Sequence, residues 1–134
     1  MNLLAIDAML AGLVGLLGIG ARFILCDGIQ PPPGGALTRV IAQAVLSAPA
    51  GAILKGTLTL AQADQAGDMA LATGIPTWGR LALADGTWIE DFTVSGISGN
   101  GQVRVVVQNP PEGDPEAKLY QGGTFFLGAV VIGG

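Results

Sequence analysis

Two β-forming runs, Thr77-Trp-Gly-Arg-Leu-Ala-Leu-Ala84 and Thr87-Trp-Ile-Glu-Asp-Phe-Thr-Val94, meet at Asp85-Gly86. A two-residue Asp-Gly loop favours a type I′ turn, because both central positions then need positive φ, and that turn forces its flanks into an antiparallel hairpin. With Ala84 opposite Thr87, Leu83 faces Trp88, Ala82 faces Ile89, Leu81 faces Glu90 and Arg80 faces Asp91. An opposite-charge pair lands across the ladder without being assumed, which supports the register. In this register Trp78 and Trp88 lie on opposite faces. One can serve the core, and Trp88 is left as an interface candidate, a setting in which Trp is common.

The rest of the chain reads as one helix followed by short strands. Leu3, Ile6, Leu10, Leu13 and Leu17 recur at helical spacing, which predicts a helix over Leu4–Leu17, ended by Gly18-Ile-Gly20. Ala21–Asp27 reads as a strand. Ile29-Gln-Pro-Pro-Pro-Gly-Gly35 reads as an extended surface connector, since prolines cannot join a central ladder. Leu37–Leu46 reads as a strand broken by Ser47-Ala-Pro-Ala-Gly51, and Ile53–Leu60 as a half-buried strand that alternates Leu with Thr. Ala61–Ala72 is a loop or holds a short strand near Met69. Gln102–Gln108 is a strand, Asn109–Lys118 an exposed acidic loop, and Thr124–Ile132 a last strand that is apolar on both faces. Such a strand needs cover on both sides. That cover would come from the N-terminal helix or a neighbouring subunit, which makes Phe125, Phe126, Leu127, Val130, Leu10 and Leu13 further interface candidates. The order predicts a mainly β fold, an antiparallel β-sandwich or jelly roll with one N-terminal helix. Its 134 residues fit a single domain, helix over 1–19 and strands over 20–134.

Composition narrows the function. The chain has no His and a single Cys, so the common catalytic triads and structural zinc sites have no parts to use. Cys26 lies in an apolar run and reads as a packing thiol. Glu90 and Asp91 are adjacent on a strand and point to opposite faces, so they cannot share a substrate. Glu112, Asp114 and Glu116 could offer oxygens to calcium, but they lack the glutamate that closes a calcium loop, and a solvated acidic loop is the plainer reading. No catalytic residue, metal or cofactor is therefore expected. The six Lys and Arg are spread singly and the net charge is −4, which argues against nucleic acid as a main partner. The N-terminal apolar run has Asp7 and no cation before Arg22, and is too short and Gly-broken for a membrane span. Only 12% of the residues are charged, against about 25% in an average soluble domain. That shortage predicts a surface partly covered by other subunits.

The run Ala72-Thr-Gly-Ile-Pro-Thr-Trp-Gly-Arg80, then Asp85-Gly86-Thr87, Asp91 and Gly122-Gly123 before a closing apolar strand, resembles a family of small virion structural proteins of tailed bacteriophages. Gly74, Trp78, Arg80, Asp85, Gly86, Thr87, Asp91, Gly122 and Gly123 carry the match, which spans most of the chain. Phe92 departs from the Gly expected after Asp91, and the loop over 109–118 is longer than usual. The resemblance implies a non-enzymatic virion component, in the tail, baseplate or tail tip, whose partners are copies of itself and other virion proteins. The matched residues would be structural: turn glycines, a core Trp and a cross-strand ion pair. A capsid decoration protein, and a small carbohydrate- or receptor-binding β module, remain as alternatives.

Overall fold

The structure is a computed structural model that describes residues 2–54, 57–108 and 112–130. It contains one helix, α1 (Leu3–Leu17), and eight strands: β1 (Arg22–Cys26), β2 (Val40–Leu54), β3 (Thr57–Gln62), β4 (Asp68–Met69), β5 (Trp78–Ala82), β6 (Trp88–Ser95), β7 (Val103–Val107) and β8 (Thr124–Val130). The strands follow the order β3-β2-β1-β5-β6-β7-β8-β4, and β3 also pairs with β8. That pairing returns the order to its start, so the sheet curls into a nearly closed barrel. The fold is mainly β with one N-terminal helix, as the sequence predicts. It is not purely antiparallel, however: β6 and β7 run parallel at Val94↔Val103 and Ser95↔Arg104. Between them residues 96–102 loop back along the end of β6 instead of making a simple hairpin reversal. Gly99 N–H donates to Gly96 C=O at 3.1 Å, and Arg104 donates to the carbonyls of Ile97 and Gly101 at 2.7 and 2.8 Å. The chain is folded back so that β7 starts beside the end of β6.

α1 begins at Asn2, whose side chain accepts from Ala5 N–H at 2.8 Å, a cap that satisfies one orphan donor of the first turn. It ends at Gly18, in the positive-φ region at 58°. Leu10 and Leu17 are buried, with Ile6, Leu13 and Val14 packed beside them, and the helix lies against β2. The barrel interior holds Phe23, Leu25, Ile41, Leu58, Leu81, Val103, Val105 and Phe125, all essentially inaccessible. Each such side chain stabilises the fold by about 1.5–3 kcal/mol relative to exposure. Phe23 and Phe92 stack with ring centroids 6.1 Å apart. Gly79 makes room for this pair: a Cβ there would sit 2.3 Å from Phe23 Cε1.

Three local expectations are corrected. Ser47–Gly51 does not break the strand. β2 runs through it for 15 residues, and the pairing with β3 jumps from Leu46↔Gln62 to Gly51↔Leu60. Pro49 sits in this bulge, where no ladder hydrogen bond is asked of it. Ile53–Leu60 is not one strand either: Ile53 and Leu54 end β2, Thr57–Leu60 belong to β3, and residues 55–56 lie outside the described residues. Leu58 and Leu60 point inward and Thr59 outward, as the alternation predicts. The third correction concerns the hairpin. Gly86 N–H donates to Leu83 C=O, and Leu83 N–H to Thr87 C=O, both at 2.9 Å. Ala84, Asp85 and Gly86 therefore form a three-residue loop with Gly86 left-handed at φ 92°, in place of the two-residue turn. Arg80↔Asp91 and Leu81↔Glu90 pair as expected, but a bulge follows and Ala82 pairs with Trp88 instead of Ile89.

Candidate functional site

That one-residue bulge decides where the polar residues gather. A shift of one reverses the face of a strand residue, so Trp88 turns to the side that carries Trp78 and Arg80. The two tryptophans share the outer face of the hairpin, contrary to the expectation. They do not form an open aromatic platform, because residues 28–39 lie over this face as a strap. Trp78 is fully buried beneath it. Its Nε1–H donates to Thr38 Oγ1 at 2.8 Å, and the Arg80 guanidinium carbon lies 5.5 Å from its ring centroid. Trp88 is 39% exposed, with its ring beside Gly34 and its Nε1–H donating to Asp91 Oδ1 at 3.1 Å.

Arg80 and Asp91 hold strap and hairpin together. Arg80 Nε donates to Asp91 Oδ1 at 2.7 Å and Nη2 to Oδ2 at 3.2 Å, a two-point contact. Nη2 also donates to Gly35 C=O at 2.6 Å, and Gly34 N–H donates to Asp91 Oδ2 at 3.3 Å. The Asp91 side chain is 1% exposed. Burial alone would push its carboxyl up. The hydrogen bonds from Arg80, Gly34 and Trp88, with the Arg80 charge, outweigh that and hold it below the usual carboxylate range. At the strap's ends, Thr77 Oγ1 donates to Gly28 C=O at 2.6 Å, Thr38 Oγ1 donates to Asp27 C=O, and Arg39 pairs with Asp27 at 3.0 Å. The proline connector is thus pinned along its length. Every polar atom named here is used in holding the chain to itself, so the cluster is a clasp and presents no reacting group to solvent.

The other predicted residues fall as follows. Asp85 caps the loop: its Oδ1 accepts from Thr87 Oγ1–H at 2.6 Å and Thr87 N–H at 2.9 Å, which lowers its pKa. Phe125, Leu127 and Leu10 are buried within the chain, and Leu13, half-buried, packs on the core. The first three are spent on the chain's own core. Phe126 is half-buried against the turn that closes at Gly67, so part of the second cover on β8 comes from the same chain. Gln62 adds to it, accepting from Leu127 N–H at 2.8 Å. The side chain of Val130 lies outside the described residues. Cys26 is buried under the strap, and loss of solvent pushes its thiol up to about 11.

The acidic loop is tied down more than expected. Glu116 Oε1 accepts from Ser98 N–H at 2.7 Å, and bonding to Ser98 with the nearby Arg104 charge lowers its pKa. Tyr120 Oη donates to Asp114. Beside Glu116 lies an apolar depression of about 170 Å³ lined by Ile97, Val105, Val106 and Val107. Among the described residues no three His, Cys, Asp or Glu side chains gather as a metal-binding group, and no helix is long and apolar enough to cross a membrane.

What the sequence reading missed is the outer side of α1. Leu4, Met9 and Leu16 are 80%, 60% and 57% exposed, and Ile19, just past the helix, is 84% exposed. The signal was present: once Leu10 and Leu17 define the inner stripe, Leu4, Met9 and Leu16 fall roughly 90–130° around the helix from it, off the buried side. No family model, no curated protein and no solved structure matches this chain.

Proposed function

We propose that the chain is a structural subunit of a tailed-bacteriophage virion, in the tail, baseplate or tail tip, and that it acts by packing against copies of itself and other virion proteins. The observation that carries the assembly reading is the exterior of α1, where the large apolar side chains of Leu4, Met9, Leu16 and, just past its end, Ile19 stand in solvent. Apolar exposure concentrated on one element points to an interaction surface more than side chains scattered singly do. The virion reading draws on the sequence resemblance carried by Trp78, Arg80, Asp85-Gly86-Thr87 and Asp91. A barrel whose proline-rich connector is clasped by a buried ion pair suits a part that is repeated and has no moving site. No catalysis belongs to this role.

Mass spectrometry of purified tailed particles, made by the genome that encodes the chain, tests the reading. It should be found in fixed stoichiometry to the other tail proteins and stay with them through a density gradient. Recovery in the soluble lysate alone would contradict a virion role.

A further inference from the structure

The barrel stays open along one side of β6. This strand is bonded to β5 from Trp88 to Thr93, but its ladder with β7 begins only at Val94↔Val103. Among the described residues no strand pairs with the other side of residues 88–93, a stretch of about 20 Å at roughly 3.3 Å per residue. By contrast β4, at the end of the strand order, has only two residues. Val94 N–H donates to Thr77 C=O at 3.0 Å, which fixes the alternation along β6. Phe92 and Glu90 N–H face β5, and Asp91 and Thr93 N–H face the open side. A row of such donors is a template on which a strand of another chain can add.

Both donors are already taken. Thr93 N–H donates to Gln102 Oε1 at 3.1 Å, and Gln102 N–H donates back to Thr93 Oγ1 at 3.0 Å. Asp91 N–H donates to Glu90 Oε1 at 3.0 Å. We propose that Glu90 and Gln102 block this edge: their side-chain oxygens stand where the carbonyls of an incoming strand would bond, and so keep a second copy from pairing with β6. Satisfying the donors alone would not need both side chains. Glu90, Thr93 and Gln102 are exposed, so water can serve the Thr93 N–H. The two blocked donors also lie two residues apart on one side of the strand, the spacing at which an added strand must bond. At the far end of the same stretch stands the bulge where Ala82 pairs with Trp88. Bulges and charged side chains are devices by which sheets avoid edge pairing. The edge is thus obstructed by a bulge at its start, a carboxylate in its middle and Gln102 at its end. This block does not depend on the assembly reading above, since it concerns a contact that the chain avoids.

Association of the whole chain at equal concentration tests the block, followed by light scattering and by the infrared band of intermolecular β-pairing. Glu90→Ala with Gln102→Ala should raise association at least tenfold over the unchanged chain and add that band. Glu90→Gln with Gln102→Glu keeps an acceptor at both positions and the same net charge, and should behave as the unchanged chain. Gln102→Ala alone, which touches only exposed bonds, should show a smaller gain. Circular dichroism should be the same in all of them. A folded Ala pair that associates no more than the unchanged chain would overturn the proposal, and so would association without the infrared band. The Gln–Glu exchange associating as strongly as the Ala pair would overturn it too, because the acceptors would then not matter. Should the Ala pair unfold, Gln102→Ala decides, and either a folded variant with no gain or an unfolded one would overturn the proposal. Each of these results leaves the assembly reading in place, because that reading is tested on the unchanged chain.

Discussion

Asp91 is bonded to the opposite strand, to the strap and to Trp88, so its loss is felt in three places. Asp91→Ala should cost about 3–5 kcal/mol, because it leaves Arg80 buried without its partner. In a double-mutant cycle with Arg80→Ala the two changes should couple by about 1–3 kcal/mol, and additivity would remove the clasp from the account. Exchanging the two charges should restore only part of the loss. A reversed pair would present a donor to Gly34 N–H and an acceptor to Gly35 C=O. The lowered pKa of Asp91 gives the sign of its pH dependence. Its contribution is complete above the unfolded carboxylate value, about 3.9, and fades as pH falls through the still lower folded value. Thermal melts from pH 6 to 2 should therefore show a steeper loss for the unchanged chain than for Asp91→Asn. At the same scale, Cys26 should resist an aromatic disulfide reagent at pH 8 until the chain is unfolded, because its thiol titrates near 11. Rapid labelling of the folded chain would show that the strap does not seal it. The Arg80–Asp91 contact was legible because the ladder places the two residues opposite each other. Thr38, Gly34 and Gly35 were not: their partners Trp78, Asp91 and Arg80 are 40 to 57 residues away, and no local period reports a contact of that range.

The elements differ in how far their sequences announce them. α1 was legible to within a residue at both ends, because Gly18 and the leucine spacing act locally; its cap at Asn2 was not read. β2 was not, because a proline in a bulge and a proline that ends a strand look alike until the partner strand is known. The hairpin lies between these cases. Its centre followed from Arg80 and Asp91, but the extra residue in its loop depends on how Leu83 and Thr87 bond, and Asp-Gly suits both loop lengths. That residue moved Trp88 to the other face. Gly79 and Gly86 test the hairpin as an element. Gly79→Ala should destabilise by about 1–3 kcal/mol, since the added methyl must displace Phe23. Gly86→Ala should cost about 1–2 kcal/mol through backbone conformation alone, with no Cβ contact within 4 Å to add to it. Urea titrations measure both, and a negligible loss for Gly79→Ala would count against the packing described for Phe23 and Phe92.

As a whole, the molecule pairs a barrel that satisfies its own polar groups with a helix whose outer side is apolar. The mainly β class and the single helix could be read from punctuation and periodicity. Barrel closure could not, because it depends on a short β3–β8 pairing between distant segments. The shortage of charge is visible in composition, but its location is not: the sequence points to the last strand and the N-terminal helix, and the core uses Phe125, Leu127 and Leu10 of these. The central claim is that this exterior is made to be covered by protein. Sedimentation velocity of the purified chain, from micromolar to several hundred micromolar in moderate salt and without detergent, measures that most directly. The account predicts a concentration-dependent shift to a dimer or larger closed oligomer. A single monomeric species across the whole range would contradict it.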